Sequence, residues 1–343
     1  MVLQIGVIGV GGLGYLQAKT YAELGSVDIV AAADVTADAR DLFEREFHAP
    51  AYETYRALLH EHGAELDAVT IVTPHTLHYE QTMACLESGL HVLVEKPMVT
   101  DVGHAKGLVE AAADRNLVLQ VGYQRRFHDG FREIDRVLRS GRIGRLRAVD
   151  CFVSQNWIDN HRGTWRVDPQ LSGGGQLYDT GSHVLDALVW LSHAQPTAVT
   201  AQIQYAMPDI DVDSVLTVRL ERDAEPILAS VAIVGDGVDA TPREGYRFWG
   251  TDGTISYMDD ELEIDEQNGA AYRTEMAIDA DFDTLNRRKL RNFVDAIEGT
   301  AELAVPGTVG LTITALTEAA YEADATDSTV SVQSVVENAT VQQ

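Results

Sequence analysis

The chain has 343 residues, 45% of them hydrophobic, enough for two domains that each carry a core. Its 53 acidic residues against 26 Lys and Arg give a formal charge of −27 spread along the sequence, and repulsion from phosphate excludes a nucleic-acid partner. There is no apolar run of about 18 residues, and Cys85 and Cys151 lack metal or disulfide spacing, so a cytoplasmic protein with no membrane partner is expected.

Self-repulsion on this scale destabilises a compact monomer in dilute buffer, whereas in molar salt the Debye length falls to about 3 Å. The composition therefore reads as that of a halophile's protein.

The N-terminal "MVLQIGVIGV" has no basic n-region and leads straight into a glycine loop, so it reads as a first strand rather than a signal peptide. In "GVIGVGGLG", Gly9, Gly11 and Gly14 have GxGxxG spacing directly after that strand and at the opening of a helix. Gly9 suits the tight turn. Gly11, with Gly12 and Leu13, is where backbone meets a pyrophosphate, and Gly14 allows close helix–strand packing. Asp34 ends the second strand about 20 residues further on, where a carboxylate accepts both ribose hydroxyls and repels a 2′-phosphate. Arg40 is the nearest arginine downstream, so NAD is expected in preference to NADP.

Further β-branched runs follow at "VDIVAAAD", "LDAVTIVTP", "HVLVEK" and "LVLQVGY". They alternate with amphipathic segments such as 76–89 and 101–115, whose expected N-caps are Thr76 and either Thr100 or Asp101. Near-continuous apolar strands alternating with helices predict an α/β Rossmann domain, a doubly wound parallel sheet, over residues 1–123.

The chain has only four lysines, and one of them, Lys96, follows an apolar strand and precedes Pro97. Ligands of an open parallel sheet sit beyond the carboxyl ends of its strands, and proline cannot donate to a ladder. Lys96 is therefore expected to point into the crevice, with Glu95 offsetting its charge or touching the cofactor. A surface lysine with its stem laid along apolar groups is the alternative.

After residue 124 the pattern changes. A helix is expected near 128–141, ending at Gly141, then the strand "RLRAVDCFVSQ", a loop over 156–178 and a helix over 179–193. Longer strands follow, with Val199, Ala201, Ile203 and Tyr205 on one face and a hairpin at Asp259–Asp260. Helices near 282–298 and 308–323 are free to pack on either domain, and 326–343 has no assigned pattern. The expectation for 124–343 is an α+β domain with a large, mostly antiparallel open sheet.

After three glycines, Gly173–Gly175, Asp179 and His183 stand four apart on one helix face. They could be a surface pair, an aspartate that orients an imidazole as general base, or with Asp186 a metal site. No metal is expected.

Taken in order, "GVGGLG", "TPHTLH", "EKP", "GYQRRF", "GTWRVDPQLSGGGQLYDTGSHVLD" and "EGYRFWGTDGTI" resemble the Gfo/Idh/MocA family, which contains glucose–fructose oxidoreductase and inositol dehydrogenases. The resemblance runs over nearly the whole chain. It implies a second domain whose sheet makes homodimer or homotetramer contacts, a cis bond before Pro97, and Lys96, Asp179 and His183 as catalytic residues. It further implies that Thr73, Pro74, His78, Gln124, Trp165 and Arg166 lie at the cofactor and Arg126 at the substrate. The loop with Asn156, Trp157, Asp159, Asn160 and His161 becomes the specificity region, with Trp157 equally suited to the core.

The implied activity is NAD-dependent oxidation of a secondary hydroxyl of a sugar or cyclic polyol. His183, steered by Asp179, would take the proton while Lys96 hydrogen-bonds the reacting oxygen. The alternatives are a redox-neutral enzyme that retains its NAD (an epimerase, eliminating glycosidase or sugar–sugar oxidoreductase) and a non-catalytic nucleotide sensor.

Overall fold

The computed structural model describes residues 2–238, 241–275 and 281–340; Met1 and residues 341–343, at the outer ends of the two expected domains, lie outside it. The first half runs β1 (Leu3–Ile8), α1 (Gly12–Ala22), β2 (Val27–Ala33), α2 (Ala37–Phe47), β3 (Ala51–Tyr52), α3 (Tyr55–His62), β4 (Ala68–Ile71), α4 (His78–Glu87), β5 (His91–Val94), α5 (Val102–Asp114) and β6 (Leu119–Val121). The strands pair in the order β3-β2-β1-β4-β5-β6, all in parallel. Helices cover both faces, which is why β4 is buried at every position. The order reverses between β1 and β4, and that switch opens a crevice beyond the strand ends.

Asp101 caps α5 by accepting from His104 N at 2.7 Å. Thr76 caps nothing. A 3-10 turn over His75–Leu77 delays α4 until His78, and Thr76 Oγ1 instead donates to Gln170 O at 2.9 Å, tying the two halves together.

The second half runs α6 (Asp129–Arg139), β7 (Leu146–Ser154), α7 (Trp157–His161), α8 (Pro169–Ser172), α9 (Ser182–Ser192), β8 (Gln195–Met207), β9 (Ile210–Arg222), β10 (Glu225–Val234), β11 (Glu244–Gly250), β12 (Gly253–Met258), β13 (Glu261–Glu266), β14 (Ala271–Glu275), α10 (Phe282–Ile297), α11 (Gly307–Thr326), β15 (Val330–Ser331) and α12 (Val332–Asn338). The sheet order is β14-β13-β12-β11-β7-β10-β9-β8-β15, and every pair is antiparallel except β7–β10. Asp259 and Asp260 form the two-residue turn of the β12–β13 hairpin, both at positive φ (41° and 76°), as the twist of such hairpins requires. On β8, Val199 and Ala201 are buried, but Tyr205 is 47% exposed because the register shifts beside it and turns it outward.

The late helices carry the site's scaffolding. On α10 the buried stripe is Asn286, Lys289, Leu290, Phe293 and Val294, and its apolar members pack on Leu3, Ile5, Tyr21 and Leu93 of the first sheet and α1. Each such side chain contributes about 1.5–3 kcal/mol by leaving water. α11 packs between α5 and β8.

Candidate active site

A crevice of about 890 Å³ lies at the strand ends, lined by the glycine loop, Asp34, Thr73, Pro74, Glu95, Lys96, Trp165 and Arg166. Gly9 has φ +86°, and a Cβ there would sit 2.5 Å from Val72 O, so only glycine fits. A Cβ on Gly14 would fall 1.8 Å from Gly9 O; this residue serves packing and does not line the crevice. Gly11 and Gly12 have nothing within 4 Å of a built Cβ. The N-terminus of α1 bears no side-chain cap and no acid in its first turn, so its N–H groups and dipole are available to an anion. Asp34 accepts from Val10 N and Thr36 N, both at 2.8 Å, and keeps lone pairs for further donors. Arg40 Nη1 donates to Asp34 O at 2.8 Å. An uncapped helix start, an open glycine edge and a carboxylate in this order fit a dinucleotide.

Lys96 follows β5, its peptide to Pro97 is cis, and its side chain is 15% exposed. The ammonium donates to Asp179 Oδ1 at 2.5 Å and to Asp179 O at 3.0 Å. Burial would raise the Asp179 carboxyl, but the charges of Lys96 and Arg166 outweigh it and hold the group well below the usual carboxylate range. Its other oxygen accepts from Trp157 Nε1 at 2.7 Å and Arg166 Nε at 3.2 Å, with His161 Nε2 3.9 Å away. The Arg166 guanidinium lies 4.5 Å over the Trp165 ring.

The expected Asp179–His183 hydrogen bond is absent among the described residues. Asp179 sits in a π turn, Leu177–Gly181, ahead of α9, where α-helical spacing does not hold, and its carboxylate is occupied by three donors. The His183 ring lies edge-on to Tyr123 with centroids 5.7 Å apart, and its buried Nδ1 has no partner among the described residues. Burial, then the charges of Lys96 and Arg125, hold His183 well below its ordinary value, so the imidazole is neutral at pH 7. Asp186 does not join a ligand set with these two, because Arg126 grips it through Nε and Nη2.

A family profile described as "Oxidoreductase family, NAD-binding Rossmann fold" matches residues 3–123, and one described as "GFO/IDH/MocA C-terminal domain" matches residues 131–256. The chain belongs to the GFO/IDH/MocA oxidoreductase family. Among relatives in that family, the rhizopine catabolism protein MocA of Rhizobium meliloti is 30% identical over 199 residues, 57% of this chain and 58% of that protein. An inositol 2-dehydrogenase of R. meliloti strain 1021 is 25% identical over 343 residues, 97% of this chain and 100% of that protein. For seven of the curated relatives it matches, the chain spans about half of their length, between 38% and 58%. The fold of levoglucosan dehydrogenase, solved in complex with NADH, superposes with a TM-score of 0.86 at 20% identity over 96% of this chain and 99% of that one.

Within this GFO/IDH/MocA chain, several expected roles move. His78 is fully buried, with its ring nitrogens 2.8 Å from Pro97 O and Thr73 O; it braces the Lys96 turn and does not line the crevice, whereas His75 does. Gln124 lies outside the crevice lining, in the 3-10 turn Gln124–Phe127. Arg126 is committed to Asp186 and Ala304 O and has no part in the crevice. Trp157 is buried with Ile158, Ile210 and Val212 while its indole N–H holds Asp179, so it is both core and site support. Asn156 precedes α7 and bridges to Asp236, and His161 is half-buried against Trp157.

Glu95 lines the crevice and feels the Lys96 charge, but among the described residues it makes no hydrogen bond to Lys96. It is paired with Lys289 of α10 and accepts from Gln17 Nε2 at 2.7 Å. Burial would raise the Glu95 carboxyl, but the Lys289 charge and these hydrogen bonds hold it below its ordinary value. Lys289, 2% exposed, was missed, although a lysine on the buried stripe of α10 in a chain with four lysines is a legible signal. Arg125 was also missed: it pairs with Glu244 at 2.6 Å and leaves a buried Nη1 unpartnered among the described residues.

Proposed function

We propose that this protein oxidises a secondary hydroxyl of a sugar or cyclic polyol with NAD+ as acceptor. The observation that carries this reading is the contact of Lys96, which lines the crevice, with Asp179, which like the neutral His183 stands behind that lining. The glycine loop would hold the pyrophosphate and Asp34 the ribose, and the bound nicotinamide would supply the hydride acceptor. Lys96 spends two of its three N–H donors on Asp179, which leaves the third for the oxygen of the reacting alcohol as negative charge develops there. His183, uncharged, has the lone pair needed to take the hydroxyl proton. The relatives described as inositol 2-dehydrogenases and the NADH-bound levoglucosan dehydrogenase support the cofactor and substrate class. The test is a panel of inositols, aldoses and sugar acids in molar KCl, read as NADH formation. Stoichiometric bound cofactor with no net NADH release would move the reading to a redox-neutral enzyme.

Cofactor choice rests on Asp34. Asp34→Ala should weaken NAD+ binding by about tenfold or more, the size of a lost charge-assisted hydrogen bond, and should weaken NADP+ binding less. Fluorescence titration of both nucleotides measures this; equal losses for the two would remove Asp34 as the discriminating group.

The outer face of the large sheet exposes Val215 and Leu228, and we infer that a second copy covers it in a homodimer or homotetramer. No helix among the described residues is long and apolar enough to cross a membrane. With a formal charge of −27, assembly and secondary structure should both hold in molar KCl and decline in dilute buffer. Sedimentation velocity and circular dichroism across that range measure it, and salt-independent behaviour would contradict the halophilic reading.

A further inference from the structure

Helix α11 carries Gly310, Thr314, Glu318 and Tyr321, whose spacing places them along one face. The first three meet the segment that follows Lys96. A Cβ on Gly310 would fall 2.8 Å from the Met98 sulfur, so glycine sets how close the helix comes. Thr314 Oγ1 donates to Val99 O at 3.2 Å, and Glu318 Oε1 accepts from Val102 N at 2.9 Å. Tyr321 reaches the opposite wall, donating its hydroxyl to Asp211 Oδ1 at 2.5 Å.

Asp211, in β9, is fully buried and accepts two more hydrogen bonds, from Gly175 N and Leu177 N, both at 2.7 Å. Its carbonyl accepts from Gln176 N at 3.0 Å and would lie 2.0 Å from a Cβ on Gly175, so nothing larger than glycine passes. Three consecutive N–H-bearing residues are thus clamped where the turn that presents Asp179 begins. Tyr178 closes the circuit: its ring lies 5.5 Å from that of Tyr321, and its hydroxyl donates to Thr100 O at 3.2 Å. The Lys96 segment and the Asp179 turn, far apart in sequence, are both referenced to one packed helix by groups outside the crevice lining.

We propose that Tyr321 and Asp211 are positioning residues that fix the Lys96–Asp179 contact through α11. The proposal rests on the reading of that contact as catalytic. A lysine stem has four rotatable bonds, so the productive geometry has to come from rigid surroundings, and a misplacement of about 1 Å at such a site costs up to about a hundredfold in rate.

The test uses Tyr321→Phe, which keeps the ring and removes one donor, and Asp211→Asn, which sets an amide N–H₂ against backbone donors. Two readouts are taken on the full chain: kcat beside the NAD+ dissociation constant, and competitive acetylation of lysines read by mass spectrometry. With only four lysines, Lys96 is resolved from the reference residues Lys19 and Lys106. Tyr321→Phe should lower kcat about tenfold with unchanged NAD+ affinity, and should raise Lys96 labelling relative to the two references. Asp211→Asn should do the same more strongly; if it does not fold, Tyr321→Phe decides alone. Unchanged kcat and unchanged Lys96 labelling in Tyr321→Phe would overturn the proposal. Raised labelling together with wild-type turnover in Lys96→Ala would instead overturn the catalytic reading and leave the mechanical link standing.

Discussion

Replacing Lys96 with alanine is expected to cut turnover by about a hundredfold or more while NAD+ affinity stays within about twofold. The ammonium lies at the end of β5, at hydrogen-bond distance from the buried Asp179 carboxylate, where a reacting oxygen would gain charge. Removing it takes away a donor that matters most in the transition state, so kcat should fall while nucleotide binding, which the proposal assigns to the glycine loop and Asp34, should not. Lys96→Arg should rescue little, since a planar fork cannot reproduce the compact contact to both Asp179 Oδ1 and Asp179 O. Steady-state kinetics with a nucleotide titration decide it, and turnover near wild type in Lys96→Ala would refute the assignment.

Asp179→Asn is expected to lower both stability and turnover. The carboxylate receives Lys96, Trp157 and Arg166, and an amide offers one acceptor atom while pointing an N–H₂ at donors. Leaving a buried cation without its partner costs about 3–5 kcal/mol, which a lower denaturation midpoint at fixed KCl would report. Turnover should fall by about a hundredfold or more because Lys96 loses its reference point. A double-mutant cycle separates the partners. If Asp179 serves Lys96, then Asp179→Asn and Lys96→Ala are strongly non-additive in kcat, while Asp179→Asn with His183→Ala is closer to additive. The reverse pattern would restore the aspartate–histidine pairing that the family resemblance implies.

The limits of sequence reasoning show most clearly at these residues. Gly9, Gly11, Asp34 and Lys96 were legible because each is tied to a local rule: a turn that needs positive φ, a helix start, a strand end. The Asp179–His183 pairing was not legible, since the i, i+4 rule assumes an α-helix and the chain makes a π turn there. His78 and Arg126 were misplaced for a related reason. A polar residue in a motif next to a site has the same one-letter signature whether it faces a ligand or braces the backbone behind it.

The sequence by itself determined the parallel first sheet, the glycine cradle, the strand-end lysine and the hairpin at Asp259–Asp260, because periodicity, glycine conformational freedom and proline act within a few residues of where they are written. Only the tertiary structure decided the partners of the buried charges: Lys96 with Asp179, Glu95 with Lys289, Arg126 with Asp186 and Asp211 with Tyr321. Those pairings join segments far apart in the chain. A buried charge needs whichever counter-charge or donor the packed helices bring within about 3 Å, and no local pattern encodes that distance.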